Sequence, residues 1–362
     1  MFLPESNNAK MTVLLAGVGG CGCNTSSLLG AEIQSDDLTI ININTDAAAL
    51  DHCSSGDNIL IGKNLTNGFG AGSAPEVGLA AAEENEKQLR ELLIGNDILI
   101  LTTGLGGGTG TGATPHIAKI ARDLAIPCIV VATLPFQSEG KMRMNYATQG
   151  LELLRERAHA LITLPNDNLV EVLGETVGIF DAFKFSNTAL KNTISSLIDM
   201  LTTTGFINVD LNDFGKIMNQ KGDAILGIGH SDNPEGIEDA VEQALKNPLY
   251  KNIDISKAQG AIIQVNCKEE ITLAEYNKIT GLVNNMLDEH ALMICGISKK
   301  QHLDCYVEVL VIGTGLTVSE STPATQITSD DIARTSDNVK EIKPQIKHEY
   351  LNIPAFIRNK GA

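Results

Sequence analysis

Short apolar runs recur through the first half of the chain: MTVLLA (11–16), LTIINI (38–43), DILILT (97–102), IPCIVVAT (126–133) and ALITL (160–164). Each is nearly continuous rather than alternating, the pattern of a strand buried on both faces. Stretches with helical spacing separate them, over Asn24–Ile33, 75–93 (PEVGLAAAEENEKQLRELL), 116–125 (HIAKIARDLA) and 141–158 (KMRMNYATQGLELLRERA). Strands alternating with helices predict a parallel sheet covered on both sides. A long helix is expected over Val177–Met200, ended by the breaker TTTGF.

Beyond that helix the texture changes. INVDLNDFGKIM leads to AILGIG, a helix in GIEDAVEQALKN, and further strands in AQGAIIQVNC, ALMICGI and CYVEVLVIG. A second, smaller α/β unit with fewer glycine loops fits this order. After Gly315 the sequence turns polar and loses its period, which predicts a disordered linker. About 30 such residues span roughly 30 Å on average. Hydrophobicity returns in EYLNIPAFIRNKGA at the end. The expected divisions are an arm (1–10), a first domain (11–175), a central helix (176–204), a second domain (205–316), a linker (317–348) and a terminal peptide (349–362).

Composition narrows the function. The chain has 362 residues, 43% of them hydrophobic, with a formal net charge of −17. A single core stops growing near about 250–300 residues, so two domains are expected. The acidic balance argues against nucleic acid as a partner and against direct adhesion to anionic lipid. No apolar run has the length of a membrane span, and the start lacks the apolar core of a signal peptide. The seven cysteines include no CxxC pair, which points to a reducing compartment without a disulfide framework. Cys21 and Cys23 lack partners as metal ligands and read as small fillers; no metal-ligand set is expected from protein residues alone.

The candidate chemistry lies in three glycine-rich loops, each ahead of a helix: AGVGGCGCN, NGFGAGSAPE (67–76) and GLGGGTGTGATP (104–115). Bare backbone amides at a helix N-terminus form an anion site. In the first loop Gly17, Gly19 and Gly22 satisfy G-x-G-x-x-G, and NTD (44–46) supplies an acid after the second strand. Alone, those two features describe a dinucleotide-dependent oxidoreductase. No G-x-x-x-x-G-K-[ST] occurs. Three cradles are more than one pyrophosphate requires, and they suggest several phosphates with a cation.

Together with NTDAAAL, LPFQSEGKMRM, ITLPNDNL, INVDLND and YLNIPAFIR, these loops give the sequence a close resemblance to the FtsZ family of the tubulin superfamily, over residues 11–316 and again at 349–359. The resemblance implies a Rossmann-like parallel-sheet GTPase domain, a long central helix and a smaller α/β domain. It also implies a disordered linker and a C-terminal docking peptide. The implied activity is a cytoplasmic GTPase that polymerises head to tail at the division site, binding GTP or GDP with Mg2+. Gly19, Gly20, Cys21 and Gly22 would line the diphosphate, with Asn24 nearby. Ala71, Gly72 and Ser73 would sit at the γ-phosphate, and Gly106, Gly107, Gly108, Thr109 and Gly110 would face the phosphates from the other side. Asn44 and Asp46 suit a water and cation role, or simply end a strand in a turn.

Glu139 and Arg143, read as four apart on one helix, would by likeness reach ribose and phosphates. Asn166 resembles a ribose or base contact, Phe183 the surface on which the base stacks, and Asn187 the reader of its edge. The chain departs from the family where Cys21 and Cys23 replace glycines, where Thr188 replaces an Asn or Asp, and where Ser138 stands at an often aromatic position. The acidic loop carries Asp210 and Asp213, three apart and with no basic partner evident, beside Asn208. By likeness they would be inserted into the pocket of the next subunit to polarise the attacking water, which argues against a binding-only member. Leu351, Ile353, Pro354, Phe356 and Ile357, with Arg358 and Lys360, would dock on membrane-tethered adaptors.

Overall fold

The computed structural model describes residues 11–33, 35–174, 176–203, 205–207, 211–218, 220, 222–246, 254–300 and 302–316. The expected linker and terminal peptide, and Asn208 and Asp210, lie outside the described residues. In the first half the strands are β1 (Val13–Val18), β2 (Leu38–Asn44), β3 (Asp57–Leu60), β4 (Ile98–Gly104), β5 (Cys128–Leu134) and β6 (Ala160–Pro165). Between them run α1 (Gly19–Glu32), α2 (Ala47–Asp51), α3 (Lys63–Thr66), α4 (Pro75–Glu84), α5 (Glu86–Leu93), α6 (Thr109–Asp123) and α7 (Lys141–Arg157). Helices α8 (Asn166–Leu173) and α9 (Ile179–Thr202) lead out of this half. The second half contains α10 (Leu211–Met218), β7 (Asp223–Ser231), α11 (Ile237–Leu245), β8 (Gly260–Cys267), α12 (Leu273–Asn284), β9 (Leu292–Lys299) and β10 (Val307–Leu316).

The ten strands among the described residues form one sheet in the order β3-β2-β1-β4-β5-β6-β7-β10-β8-β9. The six strands of the first half are parallel throughout. Their order reverses between β1 and β4, and a doubly wound sheet binds its ligand at that switch point, beyond the carboxyl ends of the strands. The buried runs divide their side chains between two layers, as the two-residue period of a strand requires. Leu14, Ile41, Leu99, Leu101 and Val130 pack with Ala81, Leu89 and Ile117 of the helices on one face. Val13, Leu15, Ile100, Ile129 and Ile162 pack with Leu190, Ile194 and Leu197 of α9 on the other, in a core that continues into the second half.

Some elements differ from the pattern. The stretch 75–93 is two helices, because Asn85 breaks out of helical dihedrals and its side-chain oxygen accepts the amide of Gly62 at 2.8 Å. Helices α1 and α6 begin at Gly19 and Thr109, well before the expected Asn24 and His116. Both early turns are rich in glycine, a poor helix former. Packing, not propensity, makes them helical.

Candidate functional site

At the switch point two helix N-termini meet. Helix α1 starts directly at the end of β1 with Gly19, whose φ of +74° favours glycine. A Cβ on Gly19 would come within 2.9 Å of the Gly110 nitrogen, in the first turn of α6. On Gly108 it would stand 2.8 Å from the Ala71 Cβ in the third loop. On Gly104 it would stand 2.8 Å from the Cys21 Cβ. Much of the glycine is therefore there so that three loops can touch one another. Gly20, Gly72 and Gly107 are different, since a Cβ on any of them would meet nothing within 4 Å.

The first turn of a helix leaves its amides without partners inside the helix. Two such turns, those of Gly19–Gly22 and of Thr109–Gly112, flank the same place, and neither contains an acidic residue. Thr45 Oγ1 and Thr109 Oγ1 lie 2.7 Å apart, joining the turn after β2 to the start of α6. Thr111 Oγ1 accepts the Gly106 amide at 2.8 Å and shapes the loop from within. The assembly suits a polyanion, each amide contact to charge contributing about 1.5–3 kcal/mol.

Neither cysteine obstructs the cradle with charge. Cys23 is buried and points away, its thiol 3.4 Å from the Gly17 and Ile43 carbonyls, and burial pushes its pKa up. Half-buried Cys21 turns its sulfur to Thr133 Oγ1 at 3.7 Å. Burial raises the Cys21 pKa as well, so a neutral thiol faces the site. Asn24 is exposed. Ala71 is buried beneath the third loop, whereas Gly72 and Ser73 are exposed on it.

Asn44 and Asp46 serve the turn after β2. The Asn44 side-chain oxygen accepts the amides of Thr45 at 2.9 Å and Asp46 at 3.4 Å, and Asp46 Oδ1 caps α2 through the Ala49 amide at 3.1 Å. The second Asp46 oxygen faces the third loop, 3.7 Å from where a Gly70 Cβ would lie. Glu139 and Arg143 do not share a helix. Glu139 ends a 3-10 turn (Gln137–Glu139), Gly140 intervenes, and Arg143 lies in the first turn of α7. They are nonetheless paired, Arg143 Nη1 donating to Glu139 Oε2 at 2.6 Å, while Glu139 Oε1 accepts the Phe136 amide at 2.9 Å.

The remaining candidates gather along α9. Phe183 meets Phe136 edge to face, with centroids 5.1 Å apart, and keeps 39% of its surface open. Asn187, one turn further, is half-buried and its side chain makes no hydrogen bond to a described residue. Asn166 is buried and accepts from Ser186 Oγ at 2.6 Å. Thr188 spends its hydroxyl on the Lys184 carbonyl of its own helix. A flat aromatic surface beside an amide with free donors and acceptors suits a planar base, next to a cradle for phosphates. Phe136 and Ser186 are partners the sequence pattern does not single out, because their contacts bridge distant segments.

Residues 12–174 match the family model described as Tubulin/FtsZ family, GTPase domain, and residues 222–317 match FtsZ family, C-terminal domain. The cell division protein FtsZ of Buchnera aphidicola subsp. Schizaphis graminum is 34% identical over the whole of both chains. The chain belongs to the tubulin/FtsZ family. The cell division protein FtsZ 1 of Pyrococcus woesei is 40% identical, over 87% of this chain and 85% of that one. Among solved structures, the empty FtsZ dimer of M. jannaschii aligns with a TM-score of 0.79 at 37% identity, covering 87% of this chain and 93% of that one. CetZ2 from Haloferax volcanii, a GTPγS-bound protofilament, shares the fold with a TM-score of 0.72 at 22% identity, covering 86% and 95%. The family membership makes this a GTP-binding GTPase of the cell-division cytoskeleton, and the oxidoreductase alternative has no support.

Asp213 lies elsewhere. It sits in the first turn of α10, past the far end of α9 from Phe183, and its Oδ1 accepts from Lys216 Nζ at 2.8 Å. The expectation of an acid without a basic neighbour is thus corrected. Lys216 comes one helical turn later, on the same face.

Proposed function

We propose that the chain polymerises head to tail and hydrolyses GTP only where two subunits meet. The carrying observation is a separation. The 24 residues of α9 extend about 36 Å, with Phe183 near one end and the acidic segment beyond the other. Asp213 follows the far end of that helix, a separation that supports its delivery to the cradle by a second copy. Exposed apolar side chains at both ends support the same arrangement. Phe69 of the third loop, Met142 in the first turn of α7 and Phe180 in the first turn of α9 are exposed, and so are Phe206, Ile207 and Leu273, which line one groove past the end of α9. Two unlike patches that fit each other give a heterologous contact, which propagates as a filament.

In this reading Gly19, Gly20, Cys21, Gly22, Gly106–Gly110 and Ala71–Ser73 hold the phosphates through backbone amides, and Asn24 stands at their edge. Arg143, oriented by Glu139, adds charge. Phe183 stacks on the base, Asn187 reads its edge, and Asn166 stays near the ribose. The free oxygen of Asp46, near Asn44, fits Mg2+, which is usually held by one or two carboxylates together with substrate phosphates. The ion would neutralise phosphate charge. Asp210 and Asp213 of the next subunit, with Asn208, orient and polarise the water. Phosphoryl transfer mostly requires positioning and charge stabilisation, so acids arriving with a neighbour complete the site.

The division site is the proposed location, with residues 349–362 docking on a membrane-tethered adaptor. Deleting 349–362 leaves assembly and hydrolysis near normal and abolishes recruitment to membranes carrying the adaptor; loss of GTPase activity in that truncation would contradict the assignment. The interfacial site itself is tested by GTP turnover against protein concentration. Specific activity rises with concentration and vanishes below an assembly threshold, whereas an activity independent of concentration overturns the proposal.

A further inference from the structure

Helix α10, which carries Asp213, is flanked in sequence by residues held to different parts of the molecule. On the entry side Gly205–Ile207 lies along the edge of β9. The Phe206 amide donates to the Ile297 carbonyl at 2.8 Å, and the Ile297 amide donates to the Ile207 carbonyl at 3.0 Å. On the exit side α10 ends at Met218, and β7 begins at Asp223. Asp223 is held by Arg155 in a two-pronged pair, Nε to Oδ1 and Nη2 to Oδ2, both at 2.9 Å. Arg155 belongs to the last turn of α7, whose first turn carries Arg143 beside the cradle. One helix, about 25 Å long, thus joins the nucleotide site to the strand that follows the acids.

The pair stands where the sheet is weakest. Strands β6 and β7 share a single register pair among the described residues, Ile162 with Ala224, immediately beside Asp223. By contrast, β7 pairs with β10 along most of its length. The carboxylate of Asp223 is 4% exposed and the Arg155 side chain 37%. A buried carboxylate in a bidentate guanidinium fork is geometrically specific, and a lysine cannot reproduce it. The fork fixes the start of β7 to the end of α7 beside the single β6–β7 register pair among the described residues.

We propose that Arg155 and Asp223 are positioning residues for hydrolysis, fixing the acid-bearing segment relative to the nucleotide half of its own chain. In a filament that relation sets where one subunit's acids fall in the next subunit's cradle. The pair touches neither nucleotide nor water. It acts through Asp213 and Asp210, and so rests on the interfacial reading above. Misplacement of a reacting group by about 1 Å can lower a rate by about 100-fold.

The test uses the full chain carrying Arg155→Ala, Arg155→Lys, or the reciprocal exchange Arg155→Asp with Asp223→Arg. GTP affinity, sedimentation with GTP, and phosphate release per sedimented subunit are measured for each. Expected are GTP affinity within about twofold of the parent and retained polymer. Phosphate release per sedimented subunit falls about tenfold or more in Arg155→Ala and less in Arg155→Lys, and the exchange recovers part of it. If Arg155→Ala does not fold, Arg155→Lys alone decides the matter through the same per-polymer rate. An unchanged rate per sedimented subunit overturns the proposal. So does a loss of GTP affinity in parallel with the rate, which marks a purely structural role. Asp213→Ala is assayed alongside. If it retains full turnover, the interfacial reading has failed; if only Asp213→Ala is slow, the positioning role has failed.

Discussion

The two halves of the sheet use glycine and loops for opposite purposes. In the parallel half, β1 runs straight into α1 and β4 reaches α6 through a glycine loop, and the first turns of both helices are rich in glycine. In the second half the strands are mostly antiparallel, joined to β10 on both sides. There, Thr272 and Glu275 close a box at the start of α12, and α11 follows a 3-10 turn that Asn233 caps through the Gly236 amide at 2.9 Å. A capped helix end is finished and binds nothing further. An uncapped one is open to a ligand. The contrast supports placing the proposed phosphate site in the parallel half, where two uncapped glycine-rich turns flank one place.

Paired substitutions test that contrast most sharply. Gly107 and Gly281 both have open space where a Cβ would go, and neither has a positive φ. Gly107→Val leaves the fold intact but intrudes on the phosphate space, so GTP affinity measured by titration falls by about 100-fold, the weight of two or so lost charged contacts. A folded Gly107→Val protein with full GTP affinity would place the phosphates elsewhere. Asp213→Ala binds GTP and assembles normally, but its turnover falls by about 100-fold, the scale for a lost water-orienting group.

Smaller effects follow further from the cradle. Asn187→Leu removes the donor and acceptor of the proposed base reader, leaving polar groups of guanine unpaired at about 1–3 kcal/mol each. Competition between GTP and ATP should then show a much smaller preference; an unchanged preference moves base reading to another residue. Gly281→Ala, inside α12, raises stability by about 0.5–1 kcal/mol in denaturant titration without altering GTP affinity.

His159 gives the mildest effect. Its Nδ1 accepts the Cys128 amide at 3.0 Å, and burial, with Arg122 nearby, holds its pKa below the ordinary 6.5. The folded state therefore prefers the neutral ring. That stability is present above the unfolded pKa and is lost as pH falls through the lowered folded value. Melting temperature should decline less steeply below about pH 6 in His159→Gln than in the parent.

The strands and loops are legible in the sequence because they follow from local composition. A continuous apolar run must be buried on both faces, and dense glycine leaves the backbone bare. What is not legible arises from contacts between distant segments. The early starts of α1 and α6 depend on glycine loops touching across the site, which no local propensity records. The break at Asn85 depends on the Gly62 amide. Glu139 and Arg143 have helical spacing, yet Gly140 with its φ of +103° separates them and they pair all the same. Phe136 becomes a partner of Phe183 only once β5 and α9 are packed together. Arg155 looks like one of several charges ending an exposed helix until its buried partner at the start of β7 is seen.

Mixing two defective proteins tests the shared site most directly. Asp213→Ala keeps an intact cradle but has a damaged acidic segment, and Gly107→Val has the reverse. Each alone should release little phosphate from GTP. In mixed filaments the intact acidic segment of one meets the intact cradle of the other, so phosphate release should reappear and peak near equal proportions. If mixed filaments form and no activity returns at any ratio, hydrolysis does not take place between subunits.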